Sequence, residues 1–210
     1  AITFLREVNL DQKPDFAGKK VVVVGGGNAA IDAARSSLRL GAEVAIAYRR
    51  TVPEMPANAW EIEEAEHEGV KSKTLVAPVR GGGTDGRGAG LEVQKMQLGE
   101  PDKSGRRRPV PVEGSNFVLP CDVVISAISQ EPDLAGLEKE SVKTNKWSCF
   151  EADPATLATS RAGVFAGGDA VTGPSTVVQA IGMGRDGAES IHRYLRGRDL
   201  AEDRPKLRDR

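Results

Sequence analysis

One stretch limits the possible folds more than any other. The β-branched run Val21 to Val24 passes directly into Gly25-Gly26-Gly27 and then into the alanine-rich segment Asn28 to Leu40. Four consecutive valines are the pattern of a strand buried on both faces. The segment that follows has apolar residues at Ala30, Ala34 and Leu38, a helical spacing, and Gly41 closes it. Strand, glycine turn and helix follow in that order. Val44 to Tyr48 make a second apolar strand, and parallel pairing with the first completes a right-handed βαβ unit.

Gly25, Gly27 and Ala30 satisfy the dinucleotide spacing G-x-G-x-x-G/A between that strand and that helix. Gly25 permits a tight turn, Gly27 lets the backbone approach a pyrophosphate without a Cβ in the way, and Ala30 lets the helix pack closely on the strands. The N–H groups of Asn28 and Ala29 have no partner inside the helix and lie at its positive end, where they can bind phosphate oxygens. Residues 25 to 30, Gly26 included, are therefore the expected nucleotide loop. An NAD-binding unit carries Asp or Glu about 20 residues beyond this fingerprint to hold the ribose hydroxyls. Here Arg49 and Arg50 occupy that position. Guanidiniums suit the dianionic 2′-phosphate of NADP, so NADPH is the expected ligand, against the plain alternative of two solvated arginines.

The rest of the chain extends an α/β pattern. Pro56 and Gly69 bracket an expected helix over 56–68, whose five glutamates read as a solvated face. Lys73 to Val76 read as a third strand, and 78–120 as an antiparallel excursion of two or three strands. The glycines between Gly81 and Gly90 mark a hairpin tip and not a phosphate loop, since no Gly-Lys-Ser/Thr follows. Arg106-Arg107-Arg108 reads as a solvated loop. Val123 to Ile128 form a further buried strand that Pro132 ends, Val164 to Ala166 a last short one, and 175–195 a helix ahead of a charged tail from Arg196 to Arg210. The expected fold class is a Rossmann-like parallel sheet with helices on both faces and an antiparallel excursion.

Composition excludes several function classes. With 29 Lys+Arg against 30 Asp+Glu, the net charge of −1 gives no bulk attraction for nucleic acid or anionic membrane. No apolar stretch approaches the roughly 20 residues of a membrane span, and no secretory leader opens the chain, so a cytoplasmic protein is expected. Cys121 and Cys149 form no CxxC and read as small buried hydrophobes. His67 and His192 read as surface residues. For a dehydrogenase acting directly on a small substrate, the nearest approach to a Tyr-x-x-x-Lys pair is Tyr194 with Arg198, which lacks the lysine. A start at Ala1, without Met, reads as a piece of something longer.

Several motifs taken together resemble one family. They are Gly25 to Arg35, Tyr48-Arg49-Arg50 with Glu54-Met55-Pro56-Ala57, Ala127 to Asp133, and Gly163 to Asp169 with the helix after it. The chain is similar over nearly its whole length to the NADPH-dependent flavoprotein small subunit of glutamate synthase and its relatives, including the corresponding region of dihydropyrimidine dehydrogenase. The resemblance implies two dinucleotide-binding domains, one for NADPH inserted into one for FAD, with hydride passing from nicotinamide to flavin. Electrons then leave for a partner domain or subunit, often through iron–sulfur centres. It further implies that Ala127 and Ile128 lie near the cofactors, and that Gly168 and Asp169 contact the flavin's ribityl region. Thr176 and Val177, at the start of the last helix, would face the pyrimidine edge of the isoalloxazine.

On that basis 1–18 is a lead-in from an upstream FAD-binding segment, 19–130 the NADPH-binding domain, and 131–210 the C-terminal part of the FAD-binding domain. The family usually has Gly where this chain has Ser129, and the FAD domain's own glycine fingerprint would lie upstream of residue 1. The chain as given is therefore expected to bind NADPH without a complete FAD site. A module that binds NADP(H) without redox chemistry is the alternative.

Overall fold

The structure is a computed structural model that describes residues 1–84, 87–102, 105–130, 132–133 and 142–202. The chain divides into two compact units, Ala1–Ile128 and Ser129–Arg210. Two residues separate that division from the expected one.

The first unit runs α1 (Ile2–Asn9), β1 (Lys20–Val24), α2 (Asn28–Arg39), β2 (Glu43–Tyr48), a single 3₁₀ turn at Val52–Glu54, α3 (Ala59–Glu68) and β3 (Lys71–Thr74). Four further strands follow, β4 (Val76–Thr84), β5 (Arg87–Pro101), β6 (Arg107–Pro111) and β7 (Phe117–Leu119), and then β8 (Val123–Ser126). One sheet has the order β3-β2-β1-β8 with every pair parallel. The other is antiparallel, β4-β5-β6, with β7 also paired to β5. The expected β1–β2 pairing is present, with Val21 opposite Val44 and Val23 opposite Ile46.

Because strand side chains alternate between faces, the four valines serve two cores. Val21 and Val23, with Val44, Ile46 and Tyr48, pack against Ala30, Ile31, Ala33 and Ala34 of α2 and Ile62 and Ala65 of α3. Val22, Val24 and Ala47 pack instead against Val76, Leu91, Val93 and Cys121. Burying such an aliphatic side chain is worth about 1.5–3 kcal/mol, so each face needs its own cover. The expectation of helices on both faces is thus corrected in this unit: helices cover one face and the antiparallel sheet covers the other. A run of valines shows that both faces are buried, but carries no mark of what buries them.

Other boundaries moved for local reasons. The lead-in forms a helix, and its Phe4 ring stacks on Phe16 with centroids 5.6 Å apart. The next helix starts at Ala59 and leaves Pro56 outside, because the Ala57 N–H donates to the Gly26 carbonyl (3.1 Å) and the Asn58 N–H to Asn28 Oδ1 (3.0 Å). Those bonds hold 56–58 against the glycine loop. Gly69 ends α3 at φ +110°, the left-handed conformation expected of it. β3 begins two residues early, at Lys71, where it pairs with Ala45 of β2. The excursion has four strands over 76–119; Gly86 and the tail from 203 onward lie outside the described residues.

In the second unit, Phe165 makes a single bridge to Ala158 in place of the expected strand. Its helices among the described residues are α4 (Asp169–Thr172) and α5 (Val177–Leu195), and the Thr176 hydroxyl caps α5 by accepting from the Gln179 N–H at 3.3 Å. Glu131 and 134–141, part of the expected C-terminal segment, lie outside the described residues. Among the described residues no helix is long and apolar enough to cross a membrane.

Candidate functional site

The glycine loop stands at the C-terminal end of β1, between the tips of β2 and β8. Each of its three glycines answers a different constraint. At Gly25 the backbone has φ +144°, and a Cβ there would lie 2.6 Å from the Ala127 carbonyl oxygen. Ala127 is itself held there, its N–H donating to the Val24 carbonyl at 2.8 Å. At Gly26 a Cβ would meet the Tyr48 ring at 2.6 Å. Gly27 differs: nothing comes nearer to a Cβ there than Pro56 Cγ at 4.0 Å, and its φ of −91° suits any residue. The first two glycines are required by the protein's own packing, whereas the space at Gly27 is left open.

Gly27 is the N-cap of α2, and its carbonyl accepts from Ala30 (2.8 Å) and Ile31 (3.2 Å). Among the described residues the N–H groups of Asn28 and Ala29 have no acceptor, so the positive end of α2 faces that open space. Ala30 is fully buried on the sheet. An anion can enter here without displacing a side chain.

The tip of β2 separates the two arginines. Arg49 is exposed, and among the described residues no carboxylate pairs with it. Arg50 is only 5% exposed: its Nε donates to the Arg107 carbonyl (2.6 Å) and its Nη2 to Asp102 Oδ2 (2.9 Å). The expected two-arginine clamp is therefore one free guanidinium beside one committed to the protein. The difference is one of partners, since past the end of β2 only Arg50 meets Asp102 and Arg107 of the antiparallel β5–β6 pair. Nor is the arginine triplet a solvated loop throughout, because Arg107 in β6 pairs with Glu54 Oε1 at 2.8 Å. Glu54 also accepts from the Thr51 hydroxyl and, at 3.1 Å, from the Thr51 N–H. The Thr51 hydroxyl chiefly, and then the Arg107 guanidinium, hold its carboxyl below the ordinary carboxylate range.

In the second unit, Gly168 adopts φ +65° and its N–H points at Met183 Sδ, 3.3 Å away. Asp169 starts α4 and its Oδ1 accepts from the Ser175 N–H at 3.2 Å. Asp169, Thr176 and Val177 line an open cavity of ≈ 410 Å³ together with Ser175, Ala180 and Ile181. Val177 and Val178, at the start of α5, are 75% and 80% exposed. Of the three glycines in α5, a Cβ at Gly187 would make an ordinary contact with Leu157 Cδ1 at 3.6 Å, while at Gly182 and Gly184 it would meet nothing within 4 Å. Ile128 ends the first unit with its side chain exposed.

Residues 2–184 match the family described as pyridine nucleotide-disulphide oxidoreductase. The chain belongs to that family. Among pyridine nucleotide-disulphide oxidoreductase relatives, it is 52% identical over 93% of its length to the NADP(+)-dependent formate dehydrogenase subunit beta of Moorella thermoacetica, covering 28% of that protein. It is 41% identical over 87% of its length to the glutamate synthase [NADPH] small chain of Azospirillum brasilense, covering 38% of it. The chain thus spans about a third of these relatives' length. Thioredoxin reductase of T. acidophilum shares the fold, with a TM-score of 0.68 at 21% identity over 92% of this chain and 56% of that one.

The contacts of Asp102, Glu54 and Arg107 go unread in the sequence, where Glu54 stands only within a motif and Arg107 only in a solvated triplet. Thr51-x-x-Glu54 is a capping box and could have been read. Asp102 carries no local signal, because its partner lies on a different sheet.

Proposed function

We propose that this chain is the NADPH-binding portion, with part of the FAD site, of a flavin-dependent oxidoreductase in which hydride passes from NADPH to FAD for onward transfer. The observation that carries this reading is the open space at Gly27 over the unpaired N–H groups of Asn28 and Ala29, with Arg49 free at the tip of the neighbouring strand. The glycine loop would hold the pyrophosphate, α2 would stabilise its charge, and Arg49 would meet the 2′-phosphate. NADPH supplies the hydride and FAD accepts it. What the protein must then supply is positioning rather than a proton donor.

For FAD, this chain offers Asp169 and the start of α5, which fit a ring whose pyrimidine edge gains negative charge on reduction. The relatives' names support the pairing with NADP(H), and their greater length supports partner domains or subunits, iron–sulfur centres among the candidates. The test is calorimetric titration of the purified protein with NADPH and NADH. Preference for NADPH that falls at least about tenfold in Arg49→Ala is expected. Equal affinity for the two nucleotides would overturn the assignment of the 2′-phosphate. In a protein extended at its N-terminus to complete the FAD site, NADPH should bleach the flavin absorbance; binding without bleaching there would leave a nucleotide-binding module without redox chemistry.

A further inference from the structure

We propose that the two adjacent arginines divide the work: Arg49 meets the 2′-phosphate, while Arg50 is a positioning residue that braces the nucleotide loop against the antiparallel sheet. This inference rests on the reading of the site given above and goes further by assigning Arg50 a different partner. Arg50 is committed on three sides. Its Nε and Nη2 bond the Arg107 carbonyl and Asp102, and its own carbonyl accepts from the Leu75 N–H at 3.0 Å. Asp102 is held in turn, its N–H donating to the Arg106 carbonyl (2.7 Å) and its carbonyl accepting from the Gly105 N–H (2.9 Å). These bonds close the connection between β5 and β6. To reach a phosphate, Arg50 would have to abandon a charge-assisted bond to Asp102 and a part-buried bond to the Arg107 carbonyl together.

The brace leads on to the glycine loop through consecutive contacts. Arg107, whose carbonyl Arg50 holds, extends its side chain to Glu54. Glu54 caps the turn at Thr51, and its carbonyl accepts from the Tyr48 hydroxyl at 2.8 Å. The Tyr48 ring lies where a Cβ of Gly26 would be, and the chain leaving that turn continues to Ala57 and Asn58, which bond Gly26 and Asn28. The β5–β6 turn is therefore linked without interruption to the loop that approaches the pyrophosphate. Loosening the brace would disturb contacts common to NADPH and NADH, whereas loss of Arg49 would remove a contact that only NADPH makes.

The experiment measures Kd for NADPH and for NADH in the purified protein and in Arg49→Ala, Arg50→Ala, Arg50→Lys, Asp102→Asn and the Arg50→Ala/Asp102→Asn double variant. Arg49→Ala should cut the NADPH-to-NADH preference by roughly ten- to hundredfold and leave NADH binding as it was. Arg50→Ala and Asp102→Asn should weaken both nucleotides by a common factor with the preference intact. The double variant should be no worse than the weaker single, because both substitutions cut one linkage. Arg50→Lys should restore part of the loss by facing Asp102 with a cation. An Arg50→Ala protein that loses the preference as Arg49→Ala does would overturn the proposal, as would Asp102→Asn with unchanged binding of both nucleotides. If Arg50→Ala does not fold, the isosteric Asp102→Asn decides alone. Failure of the underlying site would look different: nucleotide binding absent from the starting protein, or unchanged by Gly27→Ala.

Discussion

At the residue scale, three consecutive glycines have three different reasons to be glycine, and substitution separates them. Gly26→Ala places a methyl group against the buried Tyr48 ring and should cost about 1–3 kcal/mol of stability, read as a lowered denaturation midpoint. Gly27→Ala meets nothing nearer than 4.0 Å and suits its φ, so the protein should melt as before while NADPH affinity falls at least about tenfold. A Gly27→Ala protein that keeps its affinity would show that the nucleotide does not approach the backbone there. The motif made all three residues visible in the sequence. It did not show which of them serves the protein and which the ligand, since that depends on Tyr48 and Ala127, distant in the chain.

At the scale of elements, helix and strand types were readable because periodicity is local, and their ends were less so. Gly69 was identified as the cap of α3 from its position alone, and its φ of +110° makes it a test: Gly69→Ala should cost about 1 kcal/mol, measured by urea unfolding. The start of that helix misled the reading. Pro56 is a good first helical residue in isolation, but the bonds from 57 and 58 to the glycine loop outweigh that preference. The arginines at the end of β2 show the same limit. Their spacing from the fingerprint pointed to a phosphate site, yet only Asp102 and Arg107, more than fifty positions later, separate the free side chain from the buried one.

At the scale of the whole molecule, carboxylates held by hydrogen bonds and ion pairs set an acid limit. Glu54, held chiefly by the Thr51 hydroxyl, and Glu68, held chiefly by Arg35 of α2, both have carboxyls lowered from an ordinary value of 4.5. Asp153, in the second unit, is lowered mainly by the Thr156 N–H. A group whose folded-state pKa is depressed stabilises the fold above its unfolded value, and that contribution disappears as pH falls through the folded one. Thermal midpoints should therefore be level near neutrality and drop below about pH 4.5, with a shallower drop in Glu68→Gln; an equally steep fall in that variant would remove Glu68 from the account. The sequence by itself determined the βαβ unit, the nucleotide fingerprint, the antiparallel excursion and the glycine that ends α3, because each is written in spacings of a few residues. Only the tertiary structure decided what covers the second face of the parallel sheet and which arginine remains free. Both depend on contacts between segments far apart in the chain, whose pairing no local pattern encodes.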